Sequence, residues 1–317
     1  MIDRKNNTIK KLITDFLEYL EVTKGLSKAT LVSYRFFLNR LNEFAFSQKI
    51  TKADGISLEL VNKYRLALNR YAPSPGERLK KNTQNYHLIA LRSFLKFLVK
   101  NDIKTLEPEK IELAKQQERQ IDFIEGDDLE KLLLSPLKTS DSAILKMRDK
   151  AIIELFYSTG LRVSELAKLK IENINLKKDE FTIRGKGKKL RLVFLSDDAR
   201  HWLKEYLHLR EDNNPFLFIR LDKNKNDNSY EGGLTTRSIE RLIEKYTRLA
   251  GITKTVTPHT IRHSYATDLL INGADIRSVQ ALLGHANITT TQIYTHVTDQ
   301  HLKDVHKAFH HRRKKII

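Results

Sequence analysis

Residues 257–273, TPHTIRHSYATDLLING, contain the start signal, the body and the stop signal of one helix. Thr257 fits the N-cap because its hydroxyl can accept a hydrogen bond from an early backbone amide, and Pro258 fits the first helical position. Gly273 fits the stop, since glycine readily adopts the left-handed conformation that ends many helices. The residues that follow predict a second helix that starts at Asp275 and ends at Gly284, so that the next residue comes just after a tight C-terminal turn.

His259 and Arg262 place an imidazole and a guanidinium three residues apart, on one face of the first helical turn. Cationic groups that donate hydrogen bonds at a helix N-terminus suit a phosphate oxygen. Two other interpretations of these residues exist. Arg262 could form a surface ion pair, and His259 with His263 could bind a metal ion, since their spacing imitates half of a zinc-protease motif. The sequence HTIRH lacks the glutamate that serves as the base in that motif, so we expect no metal here.

The composition indicates a protein with a polyanionic partner. The 317 residues contain 57 Lys and Arg against 39 Asp and Glu, which gives a net charge of +18 and a pI near 9.8. Nucleic acid is the leading partner, and an anionic membrane surface is the alternative. A membrane anchor is not expected, because the most apolar helical run, 88–99, is interrupted by Arg92 and Lys96. The lack of cysteine excludes disulfides and cysteine-bound zinc and fits the cytoplasm, where we expect association with the nucleoid.

The first hundred residues are expected to be wholly helical and to form a small bundle. Apolar residues at three- and four-residue spacing predict helices over 9–20, 27–46, 57–72 and 83–100. Ser27 and Asn82 are candidate N-caps of the second and fourth helices. The charged stretch 102–120 contains a proline and little apolar periodicity, which predicts a linker after a first domain of residues 1–101.

The second domain, residues 121–300, is expected to combine helices with a small sheet. A helix breaks at Gly160, strands over 180–183 and 190–195 are joined by RGKGKK, and a further helix is expected near 197–210. Glycines on both sides of Lys186 at this hairpin would push the lysine towards solvent or a ligand. The predicted fold class is therefore mainly α with a small antiparallel β-sheet in the C-terminal domain.

Five short motifs follow one another along the second domain. They are TGLRVSEL around Arg162, GKGKK around Lys186, HTIRHSYATDLL with His259 and Arg262, LLGH with His285, and TTQIYTH with Tyr294. In this set and spacing the chain resembles the tyrosine recombinase (phage integrase) family, and most closely its Xer-type site-specific recombinases. Six functional positions in order over 133 residues make the signal highly specific, whereas Tyr294 alone would be interpreted as a packing residue of a short helix.

The resemblance covers nearly the whole chain and implies its architecture. GLSKATLVSYRFFLNRLNEF, residues 25–44, is similar to the N-terminal SAM-like core-binding domain of the family. The resemblance implies two domains that form a C-shaped clamp on double-stranded DNA. It also implies a dimer on one recombination site and a tetramer in the synapse. By the same resemblance, residues 301–317 are a C-terminal helix or basic tail that docks on a neighbouring protomer.

The reaction implied by the resemblance is cleavage of a DNA phosphodiester by the Tyr294 hydroxyl, which gives a 3′-phosphotyrosyl enzyme and a free 5′-hydroxyl. A phenol with a pKa of about 10 is a weak nucleophile at neutral pH and needs a cationic surround and a proton acceptor. By resemblance, His259 assists proton transfer at the tyrosine and Lys186 protonates the leaving 5′-oxygen. One phosphodiester replaces another of similar energy, so no metal, ATP or other cofactor is expected.

The phosphate is expected to be held by cationic and hydrogen-bonding side chains. By resemblance, Arg162 and Arg262 clamp its non-bridging oxygens and neutralise the charge that grows in the transition state, and His285 donates a further hydrogen bond. Glu165, one turn after Arg162, is the candidate for fixing the geometry of the site. Gly284 must then turn the chain so that the histidine after it and the nucleophile face the same phosphate.

The biological role has alternatives at this point. The Xer resemblance favours resolution of chromosome or plasmid dimers, and the alternative is an integrase of a mobile element. A tyrosine-class topoisomerase would nick and reseal DNA without exchanging partners. A non-catalytic regulator would use residues 258–272 and 275–283 only to bind DNA. The sequence indicates neither the target site nor a partner from cell division or a second recombinase.

Overall fold

The computed structural model describes residues 7–74, 76–115, 122–185, 190–221 and 232–284. The chain divides into two units, Met1–Glu118 and Arg119–Ile317. Within the described ranges, helices dominate both units and one two-stranded antiparallel sheet lies in the second. The predicted fold class, mainly α with a small antiparallel sheet in the C-terminal domain, is therefore confirmed. No helix in these ranges is long and apolar enough to span a membrane.

The N-terminal unit contains four α-helices within its described residues, at bounds close to the predicted ones. They are α1 (Ile9–Val22), α2 (Lys28–Ser47), α3 (Leu58–Arg70) and α4 (Lys81–Lys100). The cap expected at Ser27 is present, because its Oγ accepts a hydrogen bond from the Thr30 amide at 3.3 Å. The cap expected at Asn82 is wrong. The Gln84 amide donates to the Lys80 carbonyl at 3.1 Å, so the helix starts earlier and Asn82 lies inside its first turn.

Aromatic residues of three helices meet in the largely aliphatic core of the N-terminal unit. Phe16 of α1 lies against Phe94 and Phe97 of α4, with ring centroids 5.6 Å and 5.2 Å away. The hydroxyl of Tyr64 in α3 hydrogen-bonds to Nδ1 of His87 in α4 at 3.0 Å, and both side chains are buried. Burial lowers the pKa of His87 to about 4. This histidine is therefore neutral at neutral pH and belongs to the packing of the bundle.

The described part of the C-terminal unit contains seven α-helices and one β-hairpin. Its described elements are α5 (Gly126–Leu134), α6 (Ala143–Thr159), α7 (Val163–Leu166), β1 (Glu180–Arg184), β2 (Leu190–Phe194), α8 (Asp197–His208), α9 (Thr236–Leu249), α10 (Pro258–Ile271) and α11 (Ile276–Leu283). β1 and β2 pair antiparallel, with Phe181 opposite Val193, as the predicted hairpin requires. Helices α5 and α9 are additional to the predicted elements.

Helix α6 packs against α5, α8, α10 and β2, and four of its charged side chains are buried. Lys150 and Glu154 form an ion pair at 2.6 Å, with side-chain exposures of 3% and 8%. Asp149 accepts hydrogen bonds from the Arg148 guanidinium at 2.8 Å and from the Tyr246 hydroxyl of α9 at 2.8 Å. Because buried charges are costly unless they are paired, these contacts compensate the charges that α6 carries into the core. The helix leads directly into the residues of the candidate site.

Candidate active site

Arg162 lies at the N-cap of α7, just after the end of α6. Its backbone amide donates to Oε2 of Glu165 at 2.9 Å, and its Nη1 donates to Oε1 of the same residue at 2.9 Å. One carboxylate therefore caps the helix and orients the guanidinium. The Arg162 side chain is 24% exposed, so the group remains accessible to a ligand.

Glu165 also binds Arg191, a residue of β2. Nη1 and Nη2 of Arg191 donate to the two carboxylate oxygens at 2.9 Å and 2.8 Å, and both side chains are 8% exposed. Burial raises the pKa of Glu165, but the hydrogen bonds from Arg191 and Arg162 outweigh it and hold the pKa at about 2. The carboxylate is therefore ionised at neutral pH and is shared by two arginines.

Arg262 of α10 is 4% exposed, so it does not form the surface ion pair considered from the sequence. Its Nη1 donates to the Gly160 carbonyl, and its Nη2 donates to the Leu283 carbonyl at 2.7 Å. Nη2 of Arg162 donates to the next carbonyl, that of Gly284, at 3.2 Å. The two arginines predicted to clamp one phosphate are 100 positions apart, yet both reach the C-terminal end of α11.

His259 lies in the first turn of α10, whose start follows the predicted signals. Thr257 is the N-cap, with its Oγ accepting from the Thr260 amide at 3.1 Å, and Pro258 is the first helical residue. His259 is exposed, whereas Arg262, one turn further, is buried. Among the described residues there is no group of three or more His, Cys, Asp or Glu side chains that could hold a metal ion.

Three of the predicted catalytic residues lie outside the described residues: Lys186, His285 and Tyr294. The tail 301–317 lies outside them as well. β1 and β2 pair up to the hairpin that carries Lys186, with Arg184 opposite Leu190. α11 ends at Gly284 in the left-handed conformation, with φ of +63°, so the turn predicted at this glycine is present.

Gly160 ends α6 in the left-handed conformation, and the ring of Tyr265 closes the space beside it. Its φ is +56°, and a Cβ added there would lie 2.5 Å from Cδ1 of Tyr265. We therefore expect Gly160→Ala to lower the free energy of unfolding by about 2 kcal/mol, because left-handed alanine is disfavoured and the ring must move. Urea unfolding followed by the fluorescence of Trp202, the only tryptophan of the chain, measures this loss.

Gly251→Ala is the matched control for this substitution. Gly251 is also left-handed, with φ of +71°, but no described atom lies within 4 Å of a Cβ added there. In this control the free energy of unfolding should fall by about 1 kcal/mol, which is the cost of placing alanine in the left-handed conformation. Equal losses at the two glycines would contradict the importance of the Tyr265 contact.

Arg191 was absent from the predicted site residues, although the sequence carries a signal for it. Arg191 and Val193 are two positions apart in β2 and therefore share a face of the strand. Val193 is 2% exposed, so an arginine on the same face of the strand is also buried. A buried arginine indicates a polar partner. That partner, Glu165, is 26 positions earlier in another element, and no local spacing reveals it.

Comparison with known proteins places most of the chain in one family. The profile of the Phage integrase family matches residues 122–301, and that of the Phage integrase N-terminal SAM-like domain matches residues 13–102. The chain is 37% identical to the tyrosine recombinase XerD of Oceanobacillus iheyensis, over 95% of this chain and 98% of the relative. It is 39% identical to the tyrosine recombinase XerD of Listeria innocua, over 95% of this chain and 99% of the relative.

A solved structure shares the fold. It is a XerH site-specific recombinase bound to palindromic difH substrate in a post-cleavage complex, with a TM-score of 0.71 and 24% identity. The similarity covers 95% of this chain and 84% of that one. Since the profile matches and the XerD relatives extend over nearly the full length, the chain belongs to the phage integrase family and is an Xer-type tyrosine recombinase.

Proposed function

We propose that the chain cleaves and rejoins double-stranded DNA at a specific site, through a 3′-phosphotyrosyl intermediate formed by Tyr294. The observation that carries the proposal is the convergence of Arg162 and Arg262 on the end of α11, directly before His285. Two guanidiniums at one place suit a phosphodiester, because each planar fork can bind a non-bridging oxygen. Membership of the tyrosine recombinases supports the same chemistry.

Arg162 is the accessible arginine of this clamp. A guanidinium has five N–H donors, and within the described part of the chain the hydrogen bonds of Arg162 to Glu165 and Gly284 use two of them. The remaining donors can bind phosphate oxygens, since the side chain is 24% exposed. The carboxylate holds the guanidinium in place before DNA arrives, so little reorganisation is needed when charge develops on the phosphate.

Arg262 acts from inside the fold. The carbonyls of Gly160 and Leu283 hold its fork where α6, α10 and α11 meet. A buried positive charge acts through a medium of low dielectric, so it stabilises the negative charge of the transition state more strongly than a solvated one. The same hydrogen bonds hold the end of α11, from which the chain continues to His285 and Tyr294.

Protons are proposed to move through His259 and Lys186. The phenol of Tyr294 loses its proton, with the help of His259, as its oxygen bonds to phosphorus. The 5′-oxygen gains a proton from Lys186 as its own bond to phosphorus breaks. The number of phosphate ester bonds is unchanged, so the energy of the cleaved bond is kept in the phosphotyrosine and neither ATP nor a metal is required.

The proposed biological role is the resolution of chromosome or plasmid dimers. The relatives named XerD match 95% of the chain, and the XerH structure is a complex with difH substrate. A net charge of +18 fits a double-stranded DNA partner. We propose a dimer on each site and a tetramer in the synapse, with residues 301–317 docking between protomers.

The test of the proposed function is covalent capture on host DNA. The full chain is incubated with sheared host DNA in EDTA without ATP, the reaction is stopped with SDS, and the protein-linked fragments are sequenced. We expect adducts that resist SDS and cluster at one sequence. A complete absence of adducts would overturn the proposal, and adducts that form only when Mg²⁺ replaces EDTA would contradict its metal independence.

The position of the captured sequence tests the biological role. A chromosomal or plasmid site that lies outside mobile DNA would support dimer resolution. Sites at the ends of a mobile element would favour the integrase alternative. Relaxation of supercoiled DNA without recombinant joints would favour a topoisomerase.

A further inference from the structure

Arg191 is a buried charged residue that contacts the site and that the proposed mechanism does not use. It lies five positions after Lys186, on the face of β2 that also holds Val193. Its side chain is 8% exposed. A cationic side chain is buried at a cost unless a partner compensates its charge. The position of Arg191 therefore depends on what it binds.

Both terminal nitrogens of the Arg191 guanidinium bind the same carboxylate. Nη1 and Nη2 bind the two oxygens of Glu165, while the buried Nε has no hydrogen-bond partner in the described part of the chain. Nη1 of Arg162 shares Oε1 of Glu165 with Nη1 of Arg191, each at 2.9 Å. The orientation of Glu165 that Arg191 sets is therefore the orientation that Arg162 uses.

The stem of Arg191 also packs against the end of α11. A Cβ added at Gly284 would lie 2.8 Å from Cδ of Arg191 and 3.2 Å from its Nη1. Arg191 thus touches α7 through Glu165 and touches the residue that precedes His285, and it belongs to the hairpin of Lys186. The side chain of Arg191 is therefore the meeting point of three segments, which carry or lead into Arg162, Lys186 and His285.

We propose that Arg191 is a positioning residue: through Glu165 it holds Arg162 in the orientation that binds the phosphate, and it ties the Lys186 hairpin to α7 and to the end of α11. This inference rests on the proposed strand cleavage. Arginine suits the role because its planar fork meets both carboxylate oxygens at once. A lysine would keep the charge but would not fix the plane of the carboxylate.

Substitution of Arg191 tests this role on a suicide duplex that carries the captured site. Arg191→Met keeps an unbranched stem and removes the fork, whereas Arg191→Lys keeps the charge. We expect single-turnover cleavage to fall about 10- to 100-fold for Arg191→Met and less for Arg191→Lys. Affinity for the duplex should stay unchanged, because the proposal gives Arg191 no contact with DNA.

Arg248→Met is the matched control. Arg248 pairs with Glu244 at 3.5 Å, and its side chain is 78% exposed. Exposed ion pairs contribute little, so this variant should cleave at the wild-type rate. A loss as large as that of Arg191→Met would show that removal of any arginine from this unit impairs cleavage, and would overturn the specific role.

A second measurement follows Glu165 itself by NMR of its carboxyl carbon, assigned by its absence in Glu165→Gln. The charged groups that act on this carboxylate among the described residues are Arg191 from β2 and Arg162 from the start of α7. In the wild type it should stay ionised to the lowest pH at which the chain is folded, and in Arg191→Met it should titrate at higher pH. In a plot of cleavage rate against pH, the acidic limb should also shift to higher pH in Arg191→Met. A packing defect would instead lower the cleavage rate equally at every pH.

The double variant of Arg191→Met and Glu165→Gln determines whether one residue acts through the other. If it does, the double variant should cleave no more slowly than Glu165→Gln alone. Losses that multiply, or an unchanged titration of Glu165 in Arg191→Met, would overturn the proposal. A wild-type chain without covalent adducts would instead overturn the proposed function, and the titration would still decide whether Arg191 controls Glu165.

Discussion

Tyr294→Phe is expected to abolish the SDS-resistant adduct and strand exchange while leaving the affinity for duplex DNA unchanged. Phenylalanine keeps the ring and lacks only the hydroxyl that attacks phosphorus. Affinity arises from many cationic contacts with phosphates, in a chain of net charge +18, so one neutral hydroxyl contributes little to it. An SDS gel of the adduct and a gel-shift titration on the same suicide duplex measure the two quantities.

Tyr157 and Tyr265 provide the controls for this result. Burial, followed by the charge of Asp268, raises the pKa of Tyr157 to about 12, and burial also raises the pKa of Tyr265. Both phenols are therefore harder to ionise than an ordinary tyrosine, which makes them poor nucleophiles. Tyr157→Phe and Tyr265→Phe should retain the adduct. If an adduct survived in Tyr294→Phe and its DNA-linked peptide contained either residue, the nucleophile would have been assigned wrongly.

The helix ends around the site could be predicted because each carries a local signal. Thr257 caps α10, while Gly160 and Gly284 end α6 and α11 in the left-handed conformation. These signals depend on a few neighbouring residues, so a single sequence contains them. The failure at Asn82 shows the limit of such a signal, since any polar residue near a helix start can be mistaken for its cap.

The ionic network of the site could be predicted only in part, because it depends on contacts between distant segments. Spacing places Glu165 one turn after Arg162, and the structure pairs them at 2.9 Å. Spacing gives no indication that Arg191 occupies the other side of the carboxylate. The burial of Arg262 likewise results from the packing of α6, α10 and α11, whereas in the sequence this arginine is compatible with an exposed ion pair.

Glu165→Gln is expected to lower the free energy of unfolding by about 3 kcal/mol and to slow strand cleavage by about 10- to 100-fold. The carboxylate accepts from the amide and Nη1 of Arg162 and from both Nη groups of Arg191. Glutamine keeps the shape, but its amide nitrogen would face an arginine N–H, so two donors would oppose each other. It also leaves Arg191 buried without a counter-charge. Urea unfolding followed by Trp202 and single-turnover cleavage measure the two effects.

The loss of stability should depend on pH in a direction set by Glu165. Its pKa of about 2 in the folded chain lies below the usual 4.5, so folding favours the ionised form. The contribution of the carboxylate to stability is therefore fully present above about pH 4.5. It is lost as the pH falls from about 4.5 towards 2. Wild type and Glu165→Gln should differ most at neutral pH and approach each other in acid.

Glu240→Gln distinguishes this effect from the loss of any carboxylate. Glu240 pairs with Arg237 at 3.3 Å, and the two side chains are 41% and 69% exposed, so the change should cost less than about 1 kcal/mol. Glu165→Asp keeps the charge but withdraws it by one methylene, which should give an intermediate loss of cleavage because one carboxylate can no longer reach both arginines. Similar unfolding free energies for Glu165→Gln and Glu240→Gln would contradict the buried network. Slower cleavage without any loss of stability would mean that Glu165 acts on the orientation of Arg162 alone and that the fold tolerates an uncompensated Arg191.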